Sequence, residues 1–172
     1  MTHSTAPGQP GSIEERIAAL EAVEEIKRLK YRYLRACDRK EPDAFRECFV
    51  ADGAVLDYGE AIGQFRNADG IRAVFEAIAL KQVDGAYVVF DMHHAVHPDI
   101  RVTSSTTAEG EWSLRFRQVD TQRGTQSVGA IEYSDSYVVE EGQWRIQRCE
   151  VRELWTMTSP LPEGTRIRGT LA

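Results

Sequence analysis

The chain has 172 residues, 42% of them hydrophobic and 28% charged, which describes one soluble domain able to bury a core around a small-molecule cavity. Its formal net charge of −6 argues against a surface that tracks a phosphate backbone, and no nucleic-acid partner is expected, because nucleic-acid binders concentrate Lys and Arg to displace counterions. Cys37, Cys48 and Cys149 are widely spaced and lack a C-x-x-C pair, which fits neither a disulfide framework nor a zinc knuckle and points to a reducing cytoplasm.

Residues 1–11 contain Ser, Thr, Pro and Gly but no apolar run, so a disordered tail is expected there. No later stretch has the length and apolarity needed to span a bilayer, and no membrane partner is expected. Order is predicted from Ser12, where Ser12-Ile13-Glu14-Glu15 reads as a capping box. An apolar stripe through Ile13, Ile17, Leu20, Val23, Ile26, Lys30 and Tyr33 or Leu34 predicts a helix over 13–39. After Pro42, Asp43 to Val50 reads as a short helix with Phe45 and Phe49 turned inward. Ala54 to Tyr58 reads as a strand, and Asp69 to Leu80 as a third helix with Ile71, Val74, Phe75 and Ile78 on one face.

From Tyr87 the pattern turns to β. Four runs are predicted: Tyr87 to Val96, Ile100 to Thr103 continuing through Ala108 to Val119, Gln126 to Glu140, and Trp144 to Met157, with Glu141-Gly142 as a hairpin turn. Helices followed by long strands make an α+β domain over 12–158, with a curved antiparallel sheet around the helices, and 159–172 as a C-terminal extension.

Chemistry concentrates in two places. Tyr33 and Asp38 lie near the end of the first helix, and Met92-His93-His94-Ala95-Val96-His97 lies in mid-chain. Together they supply a phenol, a carboxylate and an imidazole, the side chains of metal-free proton transfer. An unperturbed imidazole titrates near about 6.5, so a neutral histidine can take a proton while a carboxylate on its other nitrogen fixes the tautomer. Strand alternation lets only one of His93 and His94 enter a cavity. On a regular helix Tyr33 and Asp38 stand some 140° apart, whereas Tyr31 is nearly in line with Asp38, so either the helix unwinds near Cys37 or Tyr31 competes for the phenol role. A metal reading would use Asp91, His93 and His97, but two histidines on one strand face lack a further ligand at a recognisable spacing, so no metal is expected. Trp112, Leu114 and Phe116 alternate inward as cavity walls, with plain core packing as the ordinary alternative. Tyr133, Asp135 and Tyr137 share one strand face, as a further wall or a subunit contact. Cys37 reads as a small buried apolar residue.

The run Leu29 to Asp43 resembles the opening helix of SnoaL-like proteins, in the superfamily of cone-shaped nuclear transport factor two-like folds. Asp52-Gly53-Ala54, His93 to Ile100, Thr107 to Trp112 and Gly142 to Ile146 resemble the family's later motifs in order, so the likeness spans roughly 13–157. It implies a cone-shaped α+β barrel with N-terminal helices packed in a highly twisted mixed or antiparallel sheet. The superfamily includes scytalone dehydratase, bile acid 7α-dehydratase, a hexachlorocyclohexane dehydrochlorinase, ketosteroid isomerases, polyketide cyclases and many non-enzymes, so fold alone does not name the chemistry. In the dehydratase and dehydrochlorinase members a helix-end aspartate orients a strand histidine that removes a proton, and Asp38 and His93 match those places. Tyr33 matches the polar position five residues earlier, and Arg148, with Arg145 and Arg152 nearby, is the nearest match to a cavity arginine on the last strand. Tyr31, His94, Trp112, Phe116 and Tyr133 complete the expected binding set. The resemblance implies a cofactor-independent lyase, or else an isomerase, acting on a small apolar, cyclic or aromatic substrate. The alternative is a non-catalytic ligand-binding or small subunit of the ring-hydroxylating dioxygenase kind. A homodimer or homotrimer is expected, because an open curved sheet leaves one face needing cover.

Overall fold

Helix α1 (Ile13–Arg39) opens the part of the chain that the computed structural model describes, residues 12–60 and 62–168; the expected tail over 1–11 lies outside it. The Ser12 hydroxyl accepts from the Glu15 N–H at 3.2 Å while the Ser12 N–H donates to Glu15 Oε2 at 2.8 Å, completing the capping box. Ile13, Ile17 and Leu20 stay exposed, and the stripe enters the core only from Ile26, through Leu29, Tyr33 and Leu34. The helix ends on Lys40 in the left-handed region, φ 62°, a conformation that costs a non-glycine residue about 1–2 kcal/mol. That cost is offset by its ammonium, which is buried against Asp91 at 2.6 Å.

Helix α2 (Pro42–Arg46) is shorter than expected. Its continuation pairs with the sheet instead: Ile146 N–H donates to Cys48 O at 2.8 Å and Val50 N–H to Ile146 O at 3.1 Å, which pulls 48–50 out of helix. Strand β1 (Val55–Asp57) falls in the predicted place, and its hairpin partner β2 (Gln64–Arg66) is an addition too short and too polar to carry a strand pattern. Helix α3 (Ala68–Ala79) is capped by the Asn67 side chain, which accepts from Gly70 N–H at 3.1 Å, and buries Ile71 and Phe75. A two-residue hairpin of β3 (Gln82–Val83) and β4 (Ala86–Tyr87) follows.

Four long strands complete the fold: β5 (Val89–Val102), β6 (Thr107–Asp120), β7 (Thr125–Glu140) and β8 (Gln143–Pro160). The sheet order is β2-β1-β8-β7-β6-β5, antiparallel except for the parallel β1·β8 pair. Edge strands β2 and β5 do not pair, so the sheet stays open rather than closing into a barrel; three-residue β1 and β2 are too short to carry it round. The predicted break after Val96 is a bulge: His97 takes φ 52°, the register shifts between Val96 and Asp99, and Ile100–Val102 finishes β5 instead of starting β6. Pro98 is tolerated there because β5 is an edge. Strand β8 has two further bulges, opposite Ala130/Ile131 and Ser136/Tyr137. Beside the first, a Cβ on buried Gly129 would stand 2.8 Å from Thr156 Oγ1 and 2.9 Å from Trp155 O, so only glycine lets the strands approach this closely.

Behind Tyr133 lies a buried polar core, in which the strand face of Tyr133, Asp135 and Tyr137 meets Lys30 from the apolar stripe of α1 and makes neither a simple cavity wall nor a subunit contact. Lys30 and Asp135 meet at 2.7 Å with both side chains fully buried. Tyr137 donates to the same Asp135 oxygen at 2.6 Å, Trp112 Nε1 donates to the Tyr137 hydroxyl at 2.9 Å, and Lys30 Nζ sits 3.6 Å from the Tyr133 ring centroid.

Candidate active site

The open sheet, α1 and α3 enclose a cavity of about 360 Å³, within the usual range for small-molecule sites. The register determines which side chains meet there. Opposed residues of neighbouring strands share a face, so one row runs Ala95, Leu114, Ile131, Glu153, the next His93, Phe116, Gly129, and the next Asp91, Gln118. Val74, Phe75, Ile78 and Ala79 from α3 complete an apolar wall, with exposed Ile62 and Ile78 at the mouth.

His93 Nδ1 lies 2.6 Å from Asp38 Oδ1, and the His93 backbone N–H reaches Asp38 Oδ2 at 3.3 Å. An ionised carboxylate can only accept, so this contact suits the imidazole tautomer that carries its hydrogen on Nδ1. The imidazole packs on Phe116, ring centroids 5.2 Å apart. Helix α1 reaches this arrangement without unwinding. Tyr33 and Cys37, one turn apart, both face the cavity, while Asp38 lies round the flank of the helix and meets β5 from the side.

Three phenols surround the other end of the space. Tyr33 and Tyr133 are buried and Tyr58 half-buried, and loss of water pushes all three above the ordinary phenol range. Each is therefore a hydrogen-bond donor at neutral pH. Cys37 is held protonated in the same way, by burial first and by the Asp38 charge second, so it behaves as an apolar wall and not as a nucleophile. Asp91, beside His93 on the same face, binds Lys40 at 2.6 Å and accepts from Gln118 Nε2 at 3.0 Å.

The structure brings together Tyr33, His93, Phe116 and Tyr133 along the cavity, with Asp38 behind the imidazole. It sets the other expected residues elsewhere. Tyr31 lies on the same flank of the helix as Asp38, two turns earlier and outside the cavity, partly exposed and with its ring edge-on to Trp112 at 6.1 Å. Trp112 is buried in the polar core and does not line the cavity. His94 points to the outer face of the sheet, as alternation requires once His93 points in. Arg148 is also outside: the bulge beside it turns Ile146 and Cys149 inward, and its guanidinium pairs with Asp57 at 3.0 Å and Glu150 at 3.1 Å. The cavity residues of β8 are Val151 and Glu153. Sequence reasoning weighed Asp91 only as a metal ligand, without its Lys40 partner, and missed Tyr58, Gln118 and Glu153. Asp91 was legible by its two-residue spacing from His93, and Gln118 by its two-residue spacing from Phe116, whereas Tyr58 and Glu153 depend on loop and bulge geometry.

Solved structures share this architecture. A candidate scytalone dehydratase from Novosphingobium aromaticivorans is 20% identical, with a TM-score of 0.73 over 88% of this chain and 99% of its own. A hexachlorocyclohexane dehydrochlorinase from Novosphingobium barchaimii is 15% identical, with a TM-score of 0.73 over 90% and 99%. A protein of unknown function from Mycobacterium tuberculosis is 22% identical, with a TM-score of 0.67 over 85% and 78%. At these identities the likeness establishes the fold. No helix among the described residues is long and apolar enough to cross a membrane. The profile of the SnoaL-like domain matches residues 18–150, which contain α1 to β7, both members of the Asp38–His93 contact and most of the cavity wall, and the chain belongs to the SnoaL-like domain family.

Proposed function

We propose that the protein is a cofactor-independent lyase that eliminates water, or a comparable leaving group, from a small neutral cyclic or aromatic molecule. The observation that carries this reading is the 2.6 Å contact between Asp38 and His93 Nδ1 beside an apolar cavity closed by protonated phenols. His93 Nε2 takes a proton from carbon next to a carbonyl, the C–H electron pair becomes the new C=C bond, and the C–O bond breaks. The departing oxygen takes a proton from Tyr33 and leaves as water, and the imidazolium proton then restores the phenol. Asp38 holds the tautomer and stabilises the imidazolium, and the phenols donate to the carbonyl oxygen as negative charge grows on it. The dehydratase and dehydrochlorinase among the structural neighbours are consistent with this class of reaction.

The lining charges favour a neutral substrate. Asp91 and Lys40 neutralise each other at 2.6 Å, which leaves the Glu153 carboxylate as the uncompensated charge of the lining among the described residues. The test is a panel of β-hydroxy cyclic ketones matched with carboxylated analogues, followed by the absorbance of the conjugated enone. Turnover of neutral members is expected, with carboxylated analogues binding about tenfold or more weakly and Glu153→Gln narrowing the gap. Equal or preferred binding of the anions would contradict it.

The outer face of the sheet supports a homo-oligomer. Trp155 and Met157 lie two residues apart on that face of β8, at 54% and 63% exposure and beside Ala130 and Val128, and form an apolar patch that a second copy would cover. Sedimentation should find a dimer or trimer that Trp155→Glu dissociates; a monomeric parent protein would contradict this.

A further inference from the structure

On the far side of α1 from the cavity is a second hollow, of about 630 Å³, between α1, α2 and the hairpin that joins β7 to β8. Five arginines line it: Arg28, Arg32, Arg35 and Arg39 from the helix and Arg145 from the hairpin. The four helical positions follow steps of four, three and four, which on a regular helix keeps them within about 60° of one another and spans about 16 Å along the axis. Among the described residues none of the five is in an ion pair. Six arginines elsewhere in the chain, Arg46, Arg72, Arg101, Arg123, Arg148 and Arg152, each hold a carboxylate. In a chain of net charge −6, five guanidiniums set against the three carboxylates Glu25, Glu41 and Glu47 in one hollow leave a local excess of positive charge.

We propose that this hollow binds a compact polyphosphate anion of nucleotide size. Guanidinium groups stay charged at any physiological pH and offer paired N–H donors that match phosphoryl oxygens, so several of them facing one space select a ligand with several phosphoryl groups. The carboxylates limit its length. Glu25 lies before Arg28 and Glu41 after Arg39, one at each end of the stripe, and Glu47 stands on the α2 side. A nucleic acid or an acidic peptide threading along the groove would meet negative charge at both exits, whereas a short anion sits between them. Ala44, Cys48 and the edge of buried Trp144 provide an apolar floor for the uncharged part of such a ligand. The Cys48 thiol on that floor is pushed up to about 11 by burial, with Arg32 and Arg145 pulling the other way, which places both charges near the floor. The site is on the opposite side of the helix from Tyr33 and Cys37, and it does not depend on the elimination chemistry.

The test is calorimetric titration of the full chain with inorganic triphosphate, ATP, citrate and hexaglutamate at low salt. Triphosphate and ATP are expected to bind, more weakly as salt rises, and Arg32→Gln/Arg35→Gln should lower affinity by about tenfold or more. The same variant should keep or raise its thermal midpoint, because it removes like charges that have no partner. Arg117→Gln, on the outer sheet face, and His93→Ala should bind as the parent does. Tighter binding of ATP assigns part of the site to the nucleoside, and equal binding assigns it to the phosphates alone. Absence of binding at about 5 mM probe, citrate or hexaglutamate binding as tightly as triphosphate, or affinity within about twofold in the arginine variant would overturn the proposal.

Discussion

His93→Ala is expected to lower turnover of an elimination substrate by about 10²–10⁴-fold, the usual worth of a positioned general base. The substitution removes the ring nitrogen that faces the cavity and leaves the apolar walls of α3, Ile131 and Val151 in place, so ligand binding should survive while chemistry fails. Asp38→Asn should cost a similar factor by another route. An amide can donate to Nδ1 as readily as accept from it, so the tautomer with Nε2 free is no longer enforced across the 2.6 Å contact. Tyr33→Phe should cost about 10²-fold if its hydroxyl stabilises developing charge on oxygen. A split in which KM stays near the parent value and kcat collapses identifies the role as chemical. Turnover retained within about threefold in His93→Ala would leave the cavity as a binding site only.

The largest effect on stability is expected from Lys30→Met, about 3–5 kcal/mol, measured by urea unfolding. Lys30 and Asp135 are fully buried at 2.7 Å, and removing the ammonium leaves a carboxylate with no countercharge in the core. One of its oxygens has no hydrogen-bond partner even with Lys30 present, so the loss is not absorbed by a neighbour. The cation also contacts the Tyr133 face at 3.6 Å, a contribution that methionine does not replace. A loss of this size is a large part of the 5–15 kcal/mol typical of a whole domain. The double variant Lys30→Met/Asp135→Asn should recover part of it, because the second change removes the stranded charge. A Lys30→Met loss below about 1 kcal/mol would mean that the pair is hydrated in solution.

Legibility in the sequence followed length and periodicity. The long helix, α3 and the four long strands repeat their periods over 12 residues or more and were readable. The pairs β1·β2 and β3·β4 are two or three residues per strand, below any periodic signal, and the end of α2 is decided by its pairing with Ile146. In the site, alternation left His93 and His94 as alternatives and the family resemblance selected His93, whose partner across β5 and β6 is Phe116, whereas the β8 bulge reversed the phase on which Arg148 depended. The helical angle between Tyr33 and Asp38 looked like a conflict only while both were required to point into the cavity. Asp38 needs to reach the imidazole and not the substrate, and the flank of the helix suits that. Lys30 was the clearest missed signal, a charge at a core position of the apolar stripe, with Asp135 between two inward tyrosines as its natural partner.

The central claim is that Asp38 holds His93 with Nδ1 protonated and Nε2 free in the cavity. Nitrogen-15 NMR of the histidine side chains tests it directly, at a pH where the ring is neutral. A pyrrole-type Nδ1 and a pyridine-type Nε2 for His93, with that preference weakened or reversed in Asp38→Asn, is the predicted result. A proton on Nε2 in the parent protein, or a spectrum that Asp38→Asn leaves unchanged, would contradict it.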